Sequence, residues 1–146
     1  MTVLEFINLY TKPHGEMSYD SSRMGFDMKQ SEISNPGVYF FVESNNILKV
    51  GKADGERGIQ GRLNDYRKKN LTKEGKPNSR TAELIHRKMQ TVLQGKKIQV
   101  YIYETPSKEE NIKGFIIKSN SARALELVLS RRAREEGHSM DLSGQN

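Results

Sequence analysis

The sequence predicts an α/β (α+β) domain. A small central antiparallel sheet of three or four strands is flanked by helices, in the order β-β-α-α-β-α. Three observations carry this. Runs rich in β-forming residues at 38–42 and 47–50 flank Glu43-Ser44-Asn45-Asn46, and asparagine pairs favour tight turns, so the pair reads as a hairpin. Segments 59–69, 81–94 and 121–136 place apolar residues at helical spacing. In 98–104, Ile98, Val100 and Ile102 alternate with Tyr101 and Tyr103, the period of a strand.

The chain has 146 residues, enough for one domain with a real core. Lys and Arg number 24 against 18 acids, a net charge of +6. That balance fits either a polyanionic partner or a plain solvated basic surface. With no cysteine, disulfides and thiolate metal sites are excluded, which fits a reducing compartment. No apolar run approaches about 18 residues and no signal-peptide pattern appears, so a soluble cytoplasmic protein is expected.

Residues 1–35 read as an N-terminal arm packed across the core. Val3, Leu4, Phe6, Ile7 and Leu9 fit a short helix or a strand, broken by the segment 11–16. The core is 36–136. In its hairpin, a three-residue loop pairs Phe41 with Lys49 and Tyr39 with Gly51, which puts Tyr39 and Lys49 on one face. A two-residue loop would instead send Lys49 to the other face. After a Gly-rich polar loop at 52–58, Ile59, Leu63 and Tyr66 form an inward helical stripe, with Arg62 four residues before Tyr66. A phenol and an amine on a sheet, beside a guanidinium and a second phenol on the next helix, make a concave cationic site suited to a phosphodiester.

Residues 70–79 read as a loop, basic through Lys68, Lys69, Lys73 and Lys76. The helix 81–94 is core, and His86 on it has no second ligand at metal spacing. Glu109-Glu110-Asn111 reads as a turn before an edge strand at 115–117. The last helix has Ser121 as N-cap and a core stripe of Leu125, Val128 and Leu129. Glu126 lies to one side among Ala122, Ser130 and Ala133, whose small side chains leave room for a metal and its waters. Residues 137–146 are a polar tail.

These residues resemble the GIY-YIG nuclease superfamily. Gly37-Val38-Tyr39 is similar to its first element. Lys49-Val50-Gly51 is similar to its second, with lysine where the name has tyrosine, as in small type II restriction endonucleases of the superfamily. Arg62 and Tyr66 match its arginine-x-x-x-tyrosine pair. Asn78-Ser79-Arg80, the strand at 98–103 and 121–126 follow in the same order. The family's Pro-x-x-Asn-like element is missing, with Gln145 as a substitute in the tail.

The resemblance implies a divalent-metal-dependent DNA endonuclease, closest to a sequence-specific restriction enzyme. A broad-specificity phage-type or repair nuclease, or an inactive DNA-binding relative, are the alternatives. It implies that Tyr39 helps deprotonate a water, Lys49 lowers the Tyr39 pKa, Arg62 stabilises transition-state charge and Tyr66 bonds a phosphate oxygen. Glu126 is the implied ligand of Mg²⁺ or Mn²⁺, with Glu83 as its rival. Double-stranded DNA is the expected partner, touched by Lys52, Lys68, Lys69, Lys73, Lys76, Arg80, Arg123 and Arg131. Cutting both strands of a near-palindromic site calls for a homodimer, joined through the N-terminal arm or 107–120.

Overall fold

The computed structural model describes residues 1–20, 25–67, 87, 95–138 and 140. Helix α1 (Val3–Tyr10) leads into strands β1 (Lys12–Asp20), β2 (Gly25–Met28), β3 (Gly37–Glu43) and β4 (Asn46–Ala53). Helix α2 (Gly58–Arg67), strand β5 (Ile98–Glu104), strands β6 (Lys108–Ile112) and β7 (Phe115–Ser119), and helix α3 (Ala122–Glu135) follow. The helix expected at 81–94 lies outside the described residues, except that Arg87 is helical.

The class is the expected one, a central antiparallel sheet flanked by helices. The sheet has five strands rather than three or four, in the order β2-β1-β5-β3-β4. The added strands come from the segment read as an arm. β1 pairs with β5 from Lys12↔Ile102 to Met17↔Ile98, with a bulge at His14 between Pro13 and Gly15.

Strands β3 and β5 lie inside the sheet, and all seven residues of β3 are buried. This is why 38–42 reads as an unbroken apolar run rather than an alternation. On one face Tyr39, Phe41, Leu48, Ile98, Val100 and Ile102 pack against Ile59, Leu63 and Tyr66 of α2. On the other, Val38, Phe40, Val42, Ile47 and Val50 pack against Val3, Phe6 and Ile7 of α1 and Leu129 and Ala133 of α3. Each such large side chain contributes roughly 1.5–3 kcal/mol through burial. The result is three layers, with α2 opposite α1 and α3.

Two details fix the helices. The first amides of α2 are capped by backbone: Ile59 N donates to Asn35 O and Gln60 N to Ile33 O, at 3.0 and 2.7 Å. Gly58 stands at φ 57, and a Cβ there would run into the carbonyls of Ser34 and Asn35. On α3, the expected cap Ser121 makes no side-chain cap bond; Asn120 Oδ1 accepts from Ala122 N at 3.1 Å instead. The inward stripe of α3 is Ala122, Leu129 and Ala133, while Val128, expected in the core, is 57 % exposed.

The stretch 109–111, expected as a turn, belongs to β6. The turn is Lys113-Gly114, with φ of 52 and 87, and β6–β7 is a separate hairpin rather than an edge of the main sheet. No helix among the described residues is long and apolar enough to cross a membrane.

Candidate active site

The β3–β4 hairpin sets the site. Its loop has two residues, Ser44 and Asn45, with Ser44 at φ 52 and Glu43 paired with Asn46. Such a loop alone would have put Lys49 on the wrong face. A bulge at Leu48 adds one residue, because Val42 pairs with Ile47 but Phe41 with Lys49. The register Phe41↔Lys49 and Tyr39↔Gly51 is therefore the expected one, reached by a different loop.

The Tyr39 ring lies directly on Gly51, where a Cβ would run into the ring and its hydroxyl. Tyr39 is 0 % exposed and has nowhere to move. Gly51→Ala should therefore cost on the order of 1–3 kcal/mol through overpacking and push the phenol off its partners. Gly55→Ala, with open space around its Cβ, is the matched control and should be near neutral. Denaturant titration of both variants checks this, and equal stabilities would contradict it.

Helix α2 brings two partners to that phenol. The Tyr39 and Tyr66 hydroxyls share a hydrogen bond of 2.9 Å, and Arg62 Nε donates to Tyr39 Oη at 3.4 Å. The Arg62 guanidinium lies 5.6 Å from the Tyr66 ring centroid, within cation–π reach. Burial pushes the Tyr39 phenol up, while Arg62 and the bond to Tyr66 pull it back down. The cation hydrogen-bonded to Tyr39 is thus Arg62. Burial also drives the Tyr66 phenol well up. With its hydroxyl turned to Tyr39, Tyr66 does not line the cavity described next.

A cavity of about 860 Å³ wraps the outer edge of β4, the last strand of the sheet. Tyr39, Lys49 and Arg62 line it from the α2 side, Arg123 and Glu126 from α3, and Lys52 and residues 54–58 close one end. Burial and then Arg62 push the Lys49 ammonium down, while Glu126 holds it up. Burial pushes the half-buried Glu126 carboxyl up, while Lys52 and Lys49 pull it down.

The fold is shared with solved structures. A mutant of bacteriophage T4 EndoII matches with a TM-score of 0.61 at 17 % identity, over 94 % of this chain and 97 % of the other. Restriction endonuclease HPY188I, solved in complex with product DNA, matches with a TM-score of 0.61 at 18 % identity, over 100 % of this chain and 87 % of the other. No family model and no curated protein sequence matches the chain.

Of the expected site residues, four line one cavity and the fifth, Tyr66, braces Tyr39 from behind. Lys52 and Arg123 also line it, and Arg131 is exposed further along α3. Lys68, Lys69, Lys73, Lys76, Arg80, Glu83, His86 and Gln145 lie outside the described residues. Sequence reading missed Asp54 and Arg57 in the cavity wall. Asp54 accepts from Lys52 Nζ at 3.2 Å, and Arg57 lies 3.9 Å from Asp65. Their signal was the charge packed into the short loop 52–58, which otherwise reads as a connector.

Among the described residues no three His, Cys, Asp or Glu gather as a metal cage. Mg²⁺ needs no such cage: one or two carboxylates, with water and substrate phosphate completing the shell, suffice. Glu126 on the wall of a roomy polar cavity meets that requirement. Its carboxyl, raised by burial, would gain from a cation in front of it.

Proposed function

We propose that the protein is a divalent-metal-dependent DNA endonuclease of the GIY-YIG type, cutting as a sequence-specific restriction enzyme does. The carrying observation is the cluster of Tyr39, Arg62 and Tyr66, joined by hydrogen bonds, of which Tyr39 and Arg62 line one cavity together with Glu126. The motif resemblance and the fold shared with a restriction endonuclease support the same reading.

The geometry supports the following roles. Burial keeps Tyr39 protonated at neutral pH, so to serve as base it first releases its own proton to solvent in the cavity and, as the phenolate held by Arg62, then takes one from the attacking water. Arg62 is placed to stabilise both the phenolate character that builds on Tyr39 and the charge growing on the phosphate. Tyr66 fixes the Tyr39 hydroxyl in place. Lys49 and Lys52 add positive charge along the β4 wall. Glu126 would hold Mg²⁺ or Mn²⁺, which when bound polarises the phosphate and stabilises the leaving oxygen.

Plasmid digestion in Mg²⁺ tests the specificity. Discrete fragments are expected; a smear would favour a broad-specificity nuclease, and uncut DNA an inactive binding relative. Cutting both strands in one encounter further requires two copies of this cavity, so a homodimer on DNA is expected by light scattering. Double-strand breaks made in a single encounter by one protomer would contradict it.

The metal assignment has a readout that needs no cleavage. Mg²⁺ should raise the Tm of the wild type but not of Glu126→Gln, because ligand binding to the folded state stabilises it. The Glu126 carboxyl is raised in the folded state, so protonation begins to compete with the metal above the usual carboxylate range. The Mg²⁺-dependent rise in Tm should therefore fade on acidification earlier than an ordinary glutamate would allow. In the absence of metal the sign reverses. A raised carboxyl favours folding at low pH and loses that contribution as pH rises through its folded pKa, so metal-free Glu126→Gln should melt no lower than wild type at neutral pH.

A further inference from the structure

The first four amides of α2 are all taken. Gly58 N donates to Gly55 O, Ile59 N to Asn35 O, Gln60 N to Ile33 O and Gly61 N to Arg57 O, at 2.7–3.1 Å. An anion at this end of the cavity therefore finds no free amide on the helix. It does find a cation. Arg57, the residue just before the helix, lines the cavity together with Arg62.

Arg57 is held in position, yet its charge is only loosely engaged. A Cβ built on Gly61 would come within 2.6 Å of Arg57 Cβ and 3.1 Å of its Nε, so the arginine lies across the glycine. Glycine inside a helix costs stability relative to alanine, and here its missing side chain makes the slot for Arg57. The charge partner is Asp65, at 3.9 Å. That is beyond hydrogen-bond range. With side chains 67 and 53 % exposed, the pair adds little. The donors of Arg57 are thus open to a stronger acceptor. A phosphate is one, since it takes two parallel N–H bonds from a guanidinium.

The two arginines of this wall have different neighbours. Arg62 donates to Tyr39 Oη, beside the phenol of the proposed chemistry. Arg57 pairs instead with Asp65 and is largely exposed. A DNA strand carries one phosphate per nucleotide, so a strand with its scissile phosphate at Tyr39 and Arg62 brings a neighbouring phosphate along the same wall. Resting on the endonuclease reading of the cavity, we propose that Arg57, laid over Gly61, exchanges Asp65 for the backbone phosphate next to the scissile one. The substrate of this cavity is then a strand offering at least two phosphates, not an isolated phosphodiester.

The test is binding to a random-sequence duplex pool in EDTA, followed by fluorescence anisotropy across salt concentration. Arg57→Ala should reduce the slope of log K against log salt by about 0.9, the loss of one phosphate contact. Arg57→Lys keeps the charge and should keep the slope. Arg132→Ala is the control. Arg132 is also exposed and paired, with Glu135 at 4.0 Å, but it does not line the cavity, so its loss should leave the slope at the wild-type value. Gly61→Ala should weaken binding through the same contact, so that adding it to Arg57→Ala changes nothing further. In Mg²⁺, Arg57→Ala should raise KM and leave kcat near wild type, because a phosphate away from the reacting atoms is bound alike in the ground and transition states. Arg57→Ala alters an exposed side chain and should melt like wild type. An unchanged slope for Arg57→Ala, or an equal fall for Arg132→Ala, overturns the proposal. So does a fall in kcat with KM unchanged, which would put Arg57 on the scissile phosphate. A Gly61→Ala loss that adds fully to that of Arg57→Ala overturns the role given to Gly61. The endonuclease reading fails separately: a lowered slope in a protein that never nicks plasmid sinks that reading and leaves the phosphate contact standing.

Discussion

Glu126→Gln is expected to abolish DNA cleavage in Mg²⁺ while duplex binding stays close to wild type. The two effects separate because they rest on different groups. Binding draws mainly on Lys and Arg contacts with phosphates through counterion release, and the cavity wall keeps Lys49, Lys52, Arg62 and Arg123 in the variant. On the proposed mechanism cleavage requires a cation, and Glu126 is the carboxylate of α3 that lines the cavity. The exchange is nearly isosteric at a half-buried position and removes a carboxyl that burial already disfavours in its charged form. Loss of activity would therefore not come from loss of the fold. Anisotropy for binding, plasmid cleavage for activity and a melting curve for folding together check it. Normal cleavage by the variant in Mg²⁺ would remove Glu126 from the site.

Tyr39→Phe should slow cleavage by about 10²–10⁴-fold, the usual range for a group that moves a proton in the transition state. The ring packing over Gly51 and against Phe41 and Tyr66 is kept. The loss is one buried hydroxyl, leaving the Tyr66 hydroxyl without its bond to Tyr39, at a cost of roughly 1–3 kcal/mol. The variant should fold, melt somewhat lower and bind DNA. Lys49→Met offers a contrast. It should slow cleavage by removing charge from the wall, yet leave the pH dependence set by the phenol in place, because Arg62 is the cation hydrogen-bonded to Tyr39. Single-turnover rates across pH separate the two. A wild-type rate for Tyr39→Phe would show the tyrosine to be only core.

The site was legible where its chemistry is local in sequence. Gly37 to Tyr66 carries Tyr39, Lys49, Arg62 and Tyr66 within one hairpin and one helix, and periodicity placed the two helical residues. The Leu48 bulge was not legible, since an added residue leaves no mark in an alternating pattern. The face of Lys49 came out as expected because the bulge offset the shorter loop. The first 35 residues failed for another reason. β1 contains Pro13 and Gly15, which local propensity reads as breakers, and is held by pairing with β5, over 80 residues away in the chain. The β6–β7 turn was placed too early because Lys113 gives no turn signal, although Gly114 beside it does. Val128 fell outside the core because α3 rests on the sheet along Ala122, Leu129 and Ala133, and the two alanines carry little weight in a hydrophobic count.

The most direct measurement of the central claim is the nicking of supercoiled plasmid by wild-type protein, followed while Mg²⁺ is titrated in and then removed with EDTA. If the β4-edge cavity hydrolyses phosphodiesters with a cation on Glu126, nicked and linear DNA appear only with the metal, saturate with its concentration and stop on chelation. Plasmid that stays supercoiled at every Mg²⁺ and Mn²⁺ concentration, in protein shown by its melting curve to be folded, would contradict it.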